Sequence, residues 1–414
     1  MIYVMIFKSL YKKQLFILFE YIYFFKSNIY QFNLNIFEQQ TIITNNSQYV
    51  GALEKMNSHI NSTTCLDDVL LPKNLPPLVL FAFTRPDLLR KVLVGISEQS
   101  LLPPKVIAFI DGPRNSRDRP LIEECVTLLE QFSASSSVFV DIVARKDNLG
   151  CDRNIILGLT EVLSSNDSLV YLEDDTVPNR NFYDRMSRLL EVYRDRQEVC
   201  SISAYASLPA ELNQTEIDRD FIVSNRVFCW GFGTWSDRWK QLDLVNKSKQ
   251  YNPFGNFYKI PANSQTKMTM INQFWLEKNQ QTDWVITFTL AALYHKKVHI
   301  IPTTSFTYNI GCGHPESKTY KGKEEAWVNA RYDVNSCPNK LPSSLELPPQ
   351  LSSILSDVDL TRHLSNQKQL WLNPLAFLYL LKKAKSFTSL MILSGIFITR
   401  FPLMLRRWRS GLPV

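Results

Sequence analysis

Short apolar runs closed by Pro, Gly or acidic residues alternate along the middle of the chain with stretches of helical period. The run Leu78-Val79-Leu80-Phe81-Ala82-Phe83 follows Pro76-Pro77 and is short enough to be a buried strand. Thr84-Arg85-Pro86-Asp87 then turns into a helix whose first turn Thr84 can cap and whose apolar face is Leu88, Leu89, Val92, Leu93 and Ile96. A second strand over residues 105–110 ends at Asp111-Gly112-Pro113, and a third over 138–143 precedes Asn148-Leu149-Gly150. A helix from about 153 to 163 leads into a fourth strand, 168–172, that stops at Glu173-Asp174-Asp175, and Thr176-Val177-Pro178 reads as the start of another helix. Strands alternating with helices imply βαβ units with right-handed crossovers, hence an α/β fold with a mostly parallel sheet flanked by helices. Ligands of such sheets gather beyond the carboxyl ends of the strands, where Asp111 and the three acids fall.

Composition changes this picture little. With 45% apolar and 21% charged residues over 414 positions, the chain is an ordinary globular protein with a real core, expected as one large domain with appendages. Residues 38–74 are polar and pattern-poor, with Asn45-Asn46-Ser47 and Asn61-Ser62-Thr63-Thr64, and read as a linker. The expected organisation is an extension and linker over 1–75, the α/β domain over 76–320 and a C-terminal extension over 321–414.

Charge separates the ends from the middle. The formal charge is +7, yet residues 361–414 hold nine Lys and Arg and no Asp or Glu, which leaves about −2 for the rest and argues against a nucleic-acid partner for the main domain. The tail's apolar stretches, 370–381 and 390–398, fall short of the ~20 apolar residues that span a bilayer. They fit a basic amphipathic helix lying on an anionic membrane surface, and equally a docked helix with a solvated basic face. Residues 1–37 are aromatic and apolar but broken by Lys8, Lys12, Lys13, Glu20 and Lys26, and they lack a cleavage site of small residues. They do not read as a secretory signal; weak membrane association and a true start near Met56 both fit. Seven scattered cysteines without a Cys-x-x-Cys pair suit neither a zinc cluster nor a disulfide framework. They point to a reducing, cytoplasmic setting, peripheral on the inner face of the cell membrane where the tail binds lipid.

Three consecutive acids after an apolar strand repel one another and raise one another's pKa unless a positive charge sits among them. A divalent cation bridging to a diphosphate supplies that charge, and hard Mn2+ or Mg2+ suits carboxylate oxygens. A solvated turn before the next helix fits the triplet as well.

The surroundings of the triplet add specificity. Phe83-Thr84-Arg85-Pro86, Ile110-Asp111-Gly112, Asn148-Leu149-Gly150 with Arg153-Asn154, and Leu172-Glu173-Asp174-Asp175 with Pro178 occur in the order found in nucleotide-diphosphate-sugar transferases of the GT-A fold. Here the chain resembles glycosyltransferase family 2 and, more closely, the N-acetylglucosaminyltransferase I type. The resemblance continues through Ser201-Ile202-Ser203-Ala204-Tyr205, Trp230-Gly231-Phe232-Gly233-Thr234-Trp235 with Arg238-Trp239, Thr282-Asp283-Trp284 and Asn309-Ile310-Gly311. It covers about residues 78–315; residues 320–414 have no match.

The resemblance implies inverting transfer of a sugar from a nucleotide-diphosphate donor, a UDP-hexose or UDP-N-acetylhexosamine, to a glycan or lipid-linked acceptor hydroxyl, with Mn2+ or Mg2+. By position, Arg85 and Asp111 match residues that hold the nucleotide, Asp174 the ribose contact, Asp175 the metal ligand and Asp283 the catalytic base. Asn154, Glu173, Trp230 and Gly231 join the nucleotide-sugar contacts, and His314, in the loop Gly311-Cys312-Gly313-His314-Pro315, is a second candidate ligand of metal or phosphate. Taken singly, each has a plainer reading: Arg85 as a solvated residue at a helix start, Asp111 as an Asp-Gly turn, Asp283 as an N-cap, His314 as polar surface. Trp230, Trp235 and Trp239 are spaced to line a sugar pocket or to fill the core, the core being the better fit for Trp239. Gly231 and Gly233 allow close backbone approach to a ligand, as turn glycines also do without one. A nucleotidyltransferase of related fold would want a Gly-rich, basic loop where Phe83-Thr84-Arg85-Pro86 stands, and a non-catalytic glycan-binding protein would keep the fold without the chemistry.

Overall fold

The computed structural model describes residues 65–206, 208, 219–246, 284–317 and 331–346, and positions 387, 390 and 391. β1 (Leu78–Ala82), β2 (Lys105–Ile110), β3 (Phe139–Ala144) and β4 (Ser168–Glu173) are parallel neighbours in the order β3-β2-β1-β4. The crossovers are α1 (Pro86–Ser97), α2 (Asp118–Ser135) and α3 (Cys151–Leu163), as the alternation of apolar patterns requires.

Past β4 the sheet becomes mixed. β5 (Thr176–Pro178) leaves it, α4 (Phe182–Val192) follows, and β6 (Val199–Ser203), β7 (Phe221–Ser224), β8 (Phe232–Trp235) and β9 (Val298–Pro302) complete eight strands in the order β3-β2-β1-β4-β8-β6-β9-β7. β8 is antiparallel to both β4 and β6, so it is inserted between strands that precede it in the chain. α5 (Ser236–Leu242) and α6 (Trp284–Tyr294) lie in the second half, and β10 (Thr307–Asn309) pairs antiparallel with β5.

The alternation of side chains along the strands builds two large cores, with a smaller cluster of Tyr205, Ala206, Ile222, Phe228 and Ile301 beside them. Leu78, Leu80 and Ala82 share one core with Val106, Ala108, Ile110, Val170 and Leu172, under Leu89, Val92 and Ile96 of α1, Leu129 of α2 and Met186 of α4. Val79, Phe81, Ile107, Phe109, Leu169 and Tyr171 turn to the other face, covered by Ile155 and Leu159 of α3, Trp239 of α5 and Trp284 and Phe288 of α6. Strands buried on both faces read as unbroken apolar runs for this reason. At ~1.5–3 kcal/mol for each large apolar side chain removed from water, these two layers dominate the fold's stability.

Three local expectations are corrected. Thr176-Val177-Pro178 is a strand, because Asn309, Tyr308 and Thr307 pair with it; the helix begins only at Phe182. Thr84 does not cap α1: Arg85 holds the N-cap position without a side-chain bond, and Pro86, whose fixed φ suits a first turn, starts the helix. The linker reading ends at Cys65, where a 3-10 turn (Leu66–Asp68) buries Leu66 completely and Leu66 N–H donates to Asn339 O at 2.9 Å. Leu341 joins the same core, so residues 65–69 and 331–341 are laid on the domain. Among the described residues no helix is long and apolar enough to cross a membrane. Cys125, Cys200, Cys312 and Cys337 are free thiols.

Candidate active site

β2, β1 and β4 are adjacent and parallel, with Ala82 opposite Ile110 and Phe81 opposite Glu173, so their carboxyl ends finish level with one another. The ladder runs one residue further on each side: Asp174 N–H donates to Phe81 O (2.9 Å) and Asp111 N–H to Ala82 O (3.4 Å). The residues that leave these three strands are therefore neighbours, and they include Arg85, Asp111, Asp174 and Asp175.

Asp174 and Asp175 are buried, at 1% and 8% exposure. Arg85 spans them, Nη1 donating to Asp175 Oδ2 at 2.7 Å and Nη2 to Asp174 Oδ1. Phe83 N–H donates to Asp174 Oδ2 (3.2 Å) and Asn309 Nδ2 to Asp175 Oδ1 (3.0 Å). Every oxygen of the two carboxylates thus has a protein donor. Burial pushes Asp174 up to about 6 in spite of Arg85, and burial together with the Asp175 charge pushes Glu173 up to about 8. Burial works against the guanidinium charge, but the carboxylates of Asp174 and Asp175 outweigh it and raise the Arg85 pKa. The positive charge that the triplet demands is therefore supplied by Arg85, which is turned to the acids rather than outward to a ligand.

The donor set bears on which metal suits the site. Among the described residues no three His, Cys, Asp or Glu side chains are grouped to hold an ion. Two adjacent buried carboxylates suit a hard cation that takes its remaining oxygens from water and phosphate, the habit of Mg2+, and not one caged by protein.

Asp111 is also committed internally. Its Oδ1 accepts N–H bonds from Gly112 (2.9 Å) and Leu149 (2.8 Å), and its Oδ2 accepts from Gly150 N–H (2.9 Å) and Asn148 Nδ2 (3.1 Å). A carboxylate with four donors is the staple of the 148–150 loop. The loop delivers the chain into α3, where Asn154 is buried with its Oδ1 unpartnered among the described residues. An unsatisfied buried acceptor costs ~1–3 kcal/mol. Asp152 Oδ1 accepts the Trp284 N–H (2.9 Å), which ties the start of α6 to the start of α3. Asp283 lies outside the described residues.

The β5–β10 ribbon brings a further segment over the acids. Ile310 N–H donates to Asp175 O at 2.8 Å, and Asn309 Oδ1 accepts the Gly311 N–H at 2.9 Å. Gly311 lies so close that a Cβ there would stand 2.2 Å from Asp175 Oδ2, so no larger residue fits. The following loop is tied back: Arg114 donates to Glu316 (2.9 Å) and Asp118, and its guanidinium lies 4.8 Å from the Phe83 ring centroid. His314 Nε2 lies 3.4 Å from Asp87 Oδ2, and its Nδ1 accepts the Glu316 N–H at 3.1 Å. Asn309, Gly311 and Arg114 were not candidates from sequence. Asn309-Ile310-Gly311 was part of the matched series, but its partner Asp175 is 134 residues away, beyond any local pattern.

The tryptophans divide. Trp235 donates to Leu190 O (3.1 Å) and Trp239 to Thr160 Oγ1 (2.9 Å), and both are core, which settles Trp235 against a sugar pocket. Trp230 is half-buried, edge-on to Tyr205 with ring centroids 4.7 Å apart. Gly231 has φ +80 and a Cβ on it would meet Thr307 Cγ2 at 2.8 Å and Phe182 Cε2 at 3.0 Å, so backbone conformation and packing both favour glycine here.

No protein-family model matches the chain. No curated protein matches it either. Among solved structures, it is similar to a mannosyltransferase from Pyrobaculum calidifontis in complex with GDP-Man and Mn2+, at 10% identity and a TM-score of 0.33 over 55% of this chain and 72% of that one. It is also similar to S. aureus TarS, at 10% identity and a TM-score of 0.31 over 56% of this chain and 36% of that one. For S. aureus TarS 1-349 in complex with UDP the values are 9%, 0.30, 56% and 60%. The chain thus spans less than two thirds of both TarS chains.

Proposed function

We propose that the chain is an inverting glycosyltransferase of the GT-A type, moving a sugar from a nucleotide-diphosphate donor, UDP-linked in the favoured case, to a glycan or lipid-linked acceptor hydroxyl. The observation that carries the reading is the buried Asp174–Asp175 pair spanned by Arg85 at the carboxyl ends of β1 and β4, with Asn309 and Gly311 laid over it. Its support from sequence is the ordered series of motifs that ends at these same residues.

Asp175, seconded by Asp174, would hold Mn2+ or Mg2+, and the bound ion supplies the Lewis acid that stabilises a departing diphosphate. Arg85 presents a planar fork matched to phosphate as well as to carboxylate. The open acceptor of Asn154 suits a hydroxyl or amide N–H of the donor. Glu173, half-buried beside the pair and pushed up to about 8, is largely a neutral carboxyl near pH 7 and is assigned a hydrogen bond to the donor sugar rather than a charge. Asp283 is assigned the proton from the acceptor hydroxyl, so that oxygen attacks the anomeric carbon as the diphosphate leaves.

We also assign the basic tail to an anionic membrane surface, a reading supported by its nine Lys and Arg without an acidic residue and by Phe387 and Leu390, which are 72% and 40% exposed. Removal of residues 370–414 should release the protein from anionic vesicles.

Hydrolysis of a panel of nucleotide sugars, with and without Mn2+, tests the assignment. Wild type should turn over one donor with Mn2+, Asp175→Ala should lose ~10²–10³-fold, and Asp283→Asn should lose transfer while still binding nucleotide. Metal-independent turnover untouched by Asp175→Ala would sink the site.

A further inference from the structure

Arg85 differs from an ordinary buried arginine in what it touches. Arg238, buried elsewhere in the fold, donates to the backbone carbonyl of Tyr193 (3.0 Å) as well as to Asp237, and lies over the Trp235 ring at 4.3 Å. Among the described residues the Arg85 guanidinium is bonded to Asp174 and Asp175 alone, with its side chain still 17% exposed. It stands at the N-cap of α1, outside the helix, on backbone with φ -123 and ψ 63. Among the described residues only these two carboxylates hold it, and they are the ones assigned to the cation. All four of their oxygens already accept a protein hydrogen bond. A cation entering with Arg85 in place meets a like charge and acids that are already neutralised.

We propose that Arg85 is a built-in competitor of the divalent cation and couples cation binding to donor binding. This inference rests on the reading of the site as a nucleotide-diphosphate site. Without nucleotide, Arg85 neutralises the pair and keeps its affinity for Mn2+ low. A diphosphate offers the guanidinium a second planar acceptor, draws it from the acids and frees them for the cation. Each ligand then raises the affinity of the other by the same factor, as linkage requires.

Mn2+ alone is titrated into the full-length protein and read from the electron paramagnetic resonance of the free ion, with and without UDP or GDP, for wild type, Arg85→Gln and Arg85→Lys; thermal melting reports folding. Without nucleotide, Arg85→Gln should bind Mn2+ about tenfold or more tightly than wild type, with Arg85→Lys between them, because an ammonium cannot span both carboxylates. UDP or GDP should raise the Mn2+ affinity of wild type, and that gain should shrink in Arg85→Gln. Metal-free Arg85→Gln should melt below wild type and recover with Mn2+. Where Arg85→Gln does not fold without metal, Arg85→Lys carries the comparison, and an affinity equal to wild type overturns the proposal. Mn2+ and nucleotide binding of equal strength and equal coupling in all three proteins overturns this inference alone. Absence of both ligands from wild type overturns it together with the donor-site reading.

Discussion

The parallel half of the sheet, β3-β2-β1-β4, and the mixed half, β8-β6-β9-β7, both bury polar side chains and satisfy them differently. In the mixed half the partners are mostly backbone carbonyls: Thr234 Oγ1 donates to Cys200 O (2.8 Å) and Ser203 Oγ to Phe228 O (2.6 Å). Ser201 Oγ and His299 Nδ1 complete the set, 2.8 Å apart and fully buried. In the parallel half the buried groups gather beyond the strand ends and satisfy one another by opposite charge, as Arg85 does with Asp174 and Asp175. A polar group bonded to backbone is fixed with the fold. One bonded to a side-chain charge can exchange that partner for a ligand of the same charge, which is why chemistry is assigned to the parallel half.

Asp111 is the exception that sharpens the contrast, a strand-end carboxylate bonded mainly to backbone N–H groups. Asp111→Ala should cost about 3–5 kcal/mol, since it strips a network from the 148–150 loop and leaves its donors buried. The check is a shift in the urea midpoint with unchanged slope.

On the mixed side, burial holds His299 down at about 3 against an ordinary 6.5. The folded state therefore binds fewer protons than the unfolded one between those values, and stability is complete above 6.5 and lost as pH falls toward 3. That loss should reach roughly 3–5 kcal/mol. His299→Phe, compared in the background of Ser201→Ala, should flatten this acid limb in chemical unfolding; an unchanged limb would assign acid sensitivity to other groups. The smallest effect is expected at the loop, where the Arg114–Glu316 pair is half exposed. Arg114→Ala should change global stability by less than ~1 kcal/mol in the same assay.

How far the sequence reaches depends on the range of the pattern involved. β1, β2 and β4 were readable because burial on both faces gives unbroken apolar runs, and α1 and α3 because their apolar spacing follows a helix. β5 was not: three residues cannot distinguish period two from a first helical turn, and only β10, far along the chain, decides. The place of β8 between β4 and β6 also has no local signal, so Trp235 was a pocket candidate when it is core. At the site, strand-end positions alone located Asp111, Asp174 and Asp175. What each touches was beyond reach, because the donors to Asp111 come from residues 148–150 and those to Asp175 from Arg85 and Asn309. Burial of Leu66 and Leu341 was hidden for the same reason, each lying in a polar stretch whose partner is distant.

The central claim is that the strand-end acids of the parallel half receive a nucleotide diphosphate through a divalent cation. Calorimetric titration of UDP and GDP into wild type and Asp175→Ala, each with and without Mn2+, measures this directly. The account predicts that one nucleotide binds wild type with Mn2+ and that binding falls about tenfold or more when either the cation or the Asp175 carboxylate is removed. Nucleotide affinity indifferent to both would contradict it.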